Sequence, residues 1–285
     1  MAEATHSYKT ALPPHIRSAD SLAGRYWGQL FALAPVFVTA CFTGHAEILR
    51  VLLICLVSAV AFEFIATKLF RKKENLRSGE TVLTAALFSF LISSRCPSEI
   101  VILGVFMTVF VTKELFGGTG SYLLHPLLLA RVFLQFCFPK VMSEPILLAG
   151  EGSLWTLVSI GLGGIILLKQ KKGYWETPAL FMSVCFVFEA LFGGKEMLFT
   201  FFSGVLFTAF FFLADLVTLP LTRRGTALFV LGAAFLSSRL NADGFSIRSA
   251  GYAILLMNLL TPWLDLWLRP VPYKPKHPLK AACSS

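Results

Sequence analysis

Lys113-Glu114-Leu115-Phe116-Gly117-Gly118-Thr119-Gly120, followed by His125-Pro126, Arg131 and Pro139, interrupts a chain that is otherwise strongly apolar on either side. In hydrocarbon, backbone that is not helical must be buried in protein or line a cavity, so a break rich in charge, glycine and proline at membrane depth marks a candidate site. The surroundings make that depth the expectation. The chain is 56% hydrophobic with 28 Phe and only 14% charged, whereas soluble domains carry about 25% charged residues. The composition predicts an all-α, polytopic membrane protein.

Outward from the break, apolar runs of roughly 15 to 23 residues, the length that spans or nearly spans a bilayer, fall at 27–44, 48–68, 81–95, 98–115, 122–139, 153–169, 176–193, 197–216, 225–240 and 247–268. Ten spans are therefore expected. The runs 81–95 and 225–240 are short, as tilted, broken or half helices are. Met1 to Asp20 is polar and lacks an apolar core, so it reads as a cytoplasmic segment rather than a cleaved signal peptide.

The net charge of +9 does not point to a nucleic-acid groove, because the basic residues sit in short loops between apolar runs, where they act as topology determinants. Lys9, Arg17 and Arg25, then Lys68, Arg71, Lys72, Lys73 and Arg77, then Lys113, then Lys169, Lys171 and Lys172, then Arg223 and Arg224, and finally Arg269, Lys274, Lys276 and Lys280 fall on one side of the alternation. The other side holds Arg50, Arg95, Lys140, Lys195, Arg239 and Arg248, about a third as many. Ten spans with both ends cytoplasmic keep this alternation, and eight or eleven break it. The expected layout is a cytoplasmic segment 1–26, a membrane domain 27–268 and a cytoplasmic tail 269–285.

Ten spans divide into two sets of five, about 27–139 and 153–268, and an odd number per set inverts the second set in the membrane. Ser78-Gly79-Glu80-Thr81-Val82-Leu83-Thr84-Ala85-Ala86-Leu87-Phe88 in span three is echoed by Ser203-Gly204-Val205-Leu206-Phe207-Thr208-Ala209-Phe210-Phe211 in span eight, with Pro97 and Pro220 after them. The alternative is chance similarity between apolar helices. Inverted repeats in transporters place their sites where the halves meet.

Four carboxylates lie in or at the edge of spans: Glu63, Glu114, Glu189 and Asp215. A carboxylate at the bilayer centre costs about 2.5–3.5 kcal/mol even on insertion scales, so each is a candidate for an ion path or for pairing with a neighbouring cation. Glu63 and Asp215 are the ion-path candidates, whereas Glu114 has Lys113 beside it as a partner. Arg131, flanked by apolar residues, needs an anion such as a phosphate or one of those carboxylates. His125 before Pro126 could relay a proton, and equally serves as a helix cap. The six cysteines show neither a CxxC pair nor regular spacing, so no metal site is expected. Nucleotide-binding, hydrolase and zinc-protease motifs are absent.

These residues resemble a known family, which unites the D-type membrane protein of the Rnf electron-transport complex with the B-type membrane protein of the sodium-pumping NADH:quinone reductase. Pro14-His15-Ile16-Arg17-Ser18 is similar to the family's opening SPHIRS, and Ser78 to Phe88 to its DGSALVTGLLLAL. Lys113 to Arg131 resembles KxxFGGLGxNxFNPAMVGR, the most specific match, and Phe138-Pro139 the FP that follows. Gly150-Glu151-Gly152-Ser153, Asp215 to Gly225 and Leu255-Leu256-Met257-Asn258 are similar to GExSAL, TDPVTSPVTPKG and LLMN, in the same order.

The resemblance implies a urea-transporter-like fold of inverted five-helix repeats. It also implies a component of a bacterial inner membrane complex, coupling flavin-mediated electron transfer to movement of Na⁺ or H⁺ in company with other subunits. It makes Lys113, Gly117, Gly118, Gly120 and Arg131 candidates for a cofactor pocket, the cofactor being FMN. Family members attach FMN to the Thr of an SGAT-type motif in the loop after span five, but Lys140 to Gly152 contains no Thr. The nearest string, Ser78-Gly79-Glu80-Thr81, offers Thr81 on the cytoplasmic side. The unmatched covalent site leaves two alternatives open: a flavin-free structural or assembly component of such a complex, and a stand-alone channel or transporter for a small solute.

Overall fold

The computed structural model describes residues 22–44, 46–70, 78–93, 95–118, 120–142, 154–170, 175–192, 198–213, 215, 217–240 and 247–269. Most of the loop Lys140–Gly152, the segment through Ser21, the tail from Pro270, Thr119, Ala214 and Leu216 lie outside the described residues. Among the described residues ten helices follow one another: α1 (Leu22–Gly44), α2 (Ala46–Leu69), α3 (Glu80–Ser89), α4 (Ser98–Phe106), α5 (Pro126–Cys137), α6 (Leu154–Gln170), α7 (Glu176–Phe192), α8 (Leu198–Phe207), α9 (Arg223–Arg239) and α10 (Ile247–Trp267). Each coincides with one expected apolar run. The expected run 81–95 ends as helix at Ser89, and 122–139 becomes helical only at Pro126, because His125 is extended at the cap and Pro126, lacking an N–H, suits the first helical position.

Two helices do not end where their α geometry does. α4 continues as a π-helix over Met107–Glu114 and α8 as a π-helix over Thr208–Phe212. Such widened turns are rare and concentrate at functional sites. After the first of them the backbone enters the left-handed region at Gly117, Gly118 and Gly120, with φ of 114°, 98° and 87°. Only glycine adopts these angles without steric cost. The N–H of Gly118 donates to the Lys113 carbonyl at 3.0 Å, closing the π-helical end.

The helices of the two halves meet in matching pairs. α2 packs on α3 and α4 as α7 packs on α8 and α9; α1 packs on α3 as α6 does on α8; α4 meets α5 as α9 meets α10. Across the halves α1 lies against α6 and α5 against α10. The α1–α6 contact is tight because α6 is glycine-rich there: a Cβ on Gly163 would collide with the Ala32 carbonyl oxygen. Thr39 Oγ1 donates to Ser159 Oγ at 3.0 Å across this contact. A chain of rings from Phe37 through Phe90 to Phe207, with centroids 4.3 and 5.8 Å apart, joins the halves at the centre. The echo read between Ser78–Phe88 and Ser203–Phe211 does not keep register: Ser78-Gly79 precedes α3, whereas Ser203-Gly204 lies within α8.

Charged side chains are buried within an apolar core, and large apolar side chains cover much of the surface. Glu63, Glu80, Lys113, Glu114, His125 and Arg131 are all buried, while Phe31, Phe42, Val57, Trp155 and Trp267 are exposed. A soluble protein of this size does not expose so many large apolar side chains. Among the described residues one helix, Glu47–Leu69, is by itself long and apolar enough to cross a membrane; Glu80–Ser89, Pro126–Cys137, Leu154–Gln170 and Phe202–Phe212 are apolar but shorter.

Candidate functional site

Lys113 is buried, although its place between two apolar runs puts it among the loop bases that set topology. Its ammonium lies 3.1 Å from Glu63 Oε2, 3.3 Å from Glu80 Oε2 and 3.9 Å from Glu114 Oε1. All four side chains are at most 7% exposed. Lys113 and Glu114 are the last two residues of the π turn, a geometry that concentrates at functional sites, and both are buried in it. Thr108 and Thr112 hold this turn by donating to the carbonyls of Gly104 and Thr108, at 2.8 and 2.6 Å. The glycine break then lets the chain reverse and deliver Tyr122 and His125.

The cluster borders a cavity of about 100 Å³ whose polar lining includes Arg25, Glu80, Lys113, Tyr122, His125 and Asp215. Asp215 follows the π end of α8; its Oδ1 accepts from the Val217 N–H at 3.1 Å and its Oδ2 lies 4.0 Å from His125 Nε2. His125 is 4% exposed and its Nδ1 has no partner among the described residues. In this cluster and cavity the described carboxylates Glu63, Glu80, Glu114 and Asp215 outnumber the described fixed cations Lys113 and Arg25. An excess of buried negative charge is tolerated only with further positive charge, from other basic side chains, protons or a bound cation.

The structure thus brings Glu63, Lys113 and Asp215 to one place and adds Glu80, which in the sequence reads as part of a serine-glycine string. A signal for it exists: a lone carboxylate immediately before an apolar run. Gly117, Gly118 and Gly120 shape the backbone beside this place. Glu189, on α7, is not among the cavity residues. Thr81 is 3% exposed and its hydroxyl is buried without a partner among the described residues.

Arg131 stands apart from the carboxylates. Its Nη2 donates to the Met142 carbonyl at 3.2 Å, no carboxylate of the described residues pairs with it, and Nη1 is buried without a partner among them. It lines a second, smaller cavity with Gln135, Arg248 and Tyr252. The two cavities are neighbours: Leu87 of α3 and Leu127 of α5 line the acidic one, and Leu91, just beyond α3, and Leu128 of α5 line the arginine one.

The glycine break that seats this buried lysine falls within a match to known proteins that runs through nearly the whole chain. The family model described as NQR2, RnfD, RnfE matches residues 9–156 and 144–274. The chain belongs to this family. It is similar to the D-type component of the proton-translocating ferredoxin:NAD(+) oxidoreductase complex of Clostridium ljungdahlii, 26% identical over 91% of this chain and 94% of the relative. It is similar to the D-type component of the Na(+)-translocating ferredoxin:NAD(+) oxidoreductase complex of Acetobacterium woodii, 25% identical over 88% of this chain and 91% of the relative. It is also similar to the D-type component of the ion-translocating oxidoreductase complex of Methanosarcina acetivorans, 28% identical over 93% of this chain and 97% of the relative. Relatives named for H⁺ and for Na⁺ align over nearly the whole chain, so membership of the NQR2, RnfD, RnfE family does not itself select the ion.

Proposed function

We propose that this chain is the membrane subunit of an Rnf-like ion-translocating electron-transport complex, working with the other subunits of that complex. The observation that carries the reading is the buried Lys113–Glu63–Glu80–Glu114 cluster beside the acidic cavity, in a chain whose relatives are named as components of such complexes. Counted together with Glu63 and Glu114 of the adjoining cluster, the described carboxylates outnumber the described fixed cations, which supports a site that draws a cation, H⁺ or Na⁺. Lys113 holds Glu63 and Glu80 together and sets how much positive charge the site accepts. Asp215 and His125 line the same cavity 4.0 Å apart, and His125 Nδ1, without a partner among the described residues, can take up a proton.

The buried charged cluster, the apolar exterior and the matching helix pairs support a multi-pass membrane protein of two inverted five-helix repeats. By its basic loops, both termini face the cytoplasm of a bacterial inner membrane, which puts the acidic cavity at the cytoplasmic end with Arg25, Glu63 and Glu80, and the arginine cavity toward the other face. The residues present do not fit FMN: Lys140 to Gly152 lacks Thr, Thr81 is enclosed, and the cavity of about 100 Å³ is too small for a flavin. This supports a second reading, a flavin-free component that contributes ion passage and assembly while partners carry the electrons.

Both readings require partners. The tagged chain, solubilised in mild detergent from its own membranes, is expected to bring other electron-transport subunits with it. Isolation of the chain without any of them refutes both and favours a stand-alone transporter.

A further inference from the structure

The cavity around Arg131 has the opposite character to the acidic one. No carboxylate of the described residues lines it, and two guanidinium groups, Arg131 from α5 and Arg248 from α10, share it with Gln135 and Tyr252. Arg131 is 6% exposed. A guanidinium has five N–H donors and no acceptor, yet here the described bond is one, to the Met142 carbonyl, and Nη1 meets no acceptor among the described residues. A buried donor left unmade costs about 1–3 kcal/mol, more when charged. The Arg131 guanidinium is thus left with a buried donor that the described protein atoms do not satisfy.

We propose that this cavity is an anion site that takes one oxygen of a phosphate ester, held by Arg131 from α5 and Arg248 from α10. Size limits the buried part to a single small group, since the cavity measures about 10 Å³, roughly the room of one water. Charge selects an anion, and paired guanidiniums favour phosphate geometry. The rest of the ligand lies outside, where Arg248 is exposed and Tyr252 meets the exposed ring of Phe136 edge-on with centroids 6.4 Å apart. A charged group going in beside an apolar surface suits an amphiphile. The same phosphate oxygen could come from a membrane phospholipid or from a soluble phosphate ester, and the inference is independent of the redox reading.

The test uses the full-length protein, purified with whatever subunits accompany it, and follows its thermal unfolding midpoint on titration with three probes. Dioleoyl phosphatidic acid and dioleoylglycerol differ only in the phosphate, and glycerol 3-phosphate presents the phosphate without chains. Phosphatidic acid is expected to raise the midpoint and dioleoylglycerol to leave it unchanged. A response to glycerol 3-phosphate as well assigns the site to soluble esters, and its absence assigns it to lipid. Arg131→Gln is expected to weaken the response at least tenfold in half-saturating concentration. Arg248→Gln, at an exposed position, is expected to weaken it about fivefold, read against the variant's own unliganded midpoint, and decides the matter if Arg131→Gln does not fold. No response to either phosphate probe, or the same half-saturation in the Arg248→Gln variant as in the unmodified protein, overturns the site. Neither result bears on whether partner subunits copurify, so the two proposals fail separately.

Discussion

Lys113→Met is expected to destabilise the folded chain by about 3–5 kcal/mol, the usual cost of removing one partner from a buried ion pair. Glu63 and Glu80 lie 3.1 and 3.3 Å from the ammonium and are shielded from water, so without it two carboxylates face each other with no compensation from that ammonium. The measured result should be a much lower thermal midpoint in detergent and little assembled complex in the membrane. Adding Glu63→Gln and Glu80→Gln to Lys113→Met removes the stranded charges and should restore much of the stability, because replacing all members of a buried ionic group is far milder than removing one. Ion movement should not return with it, since the rescued cluster has lost the charges that attract the cation. A triple variant that regains both stability and ion movement would show the cluster to be structural only.

Asp215→Asn is expected to spare folding and impair function. Asp215 is partly exposed to the cavity, and its amide substitute can still accept from the Val217 N–H that now bonds Oδ1. What disappears is a negative charge on the wall facing His125. The expected effect is a rise of about tenfold in the cation concentration needed for half-maximal ion movement, equivalent to about 1.4 kcal/mol, with an unchanged thermal midpoint. Electron transfer by the complex should slow in step if it is coupled to the ion. An unaltered concentration dependence would remove Asp215 from the path.

Helix positions are readable from the sequence because apolar run length reports them directly: all ten runs are helices, with ends displaced by a few residues where His125-Pro126 or the chain after Ser89 leaves helical geometry. The glycine break is readable too, since three glycines so close together announce positive φ. The partners of Lys113 are not. Glu63 is fifty positions away in sequence, and charge counting has no means of telling a buried lysine from a loop lysine. Met107-Thr108-Val109-Phe110-Val111-Thr112-Lys113-Glu114 is ordinary helical sequence, so the π turn in which Lys113 and Glu114 are buried leaves no mark on composition. Arg131 is legible as a residue in need of an anion, whereas Arg248 and Gln135 join it only through the meeting of α5 and α10.

If this chain carries the cation passage of a redox-driven complex, ion uptake by vesicles depends on it. Inverted membrane vesicles from cells lacking the chain, and from the same cells carrying either the unmodified chain or Asp215→Asn, are supplied with reduced ferredoxin and NAD⁺ while Na⁺ and H⁺ uptake are followed. Uptake absent without the chain, restored by the unmodified protein and restored only at raised cation concentration by the variant is the expected result. Uptake of equal size in the presence and absence of the chain would contradict the account.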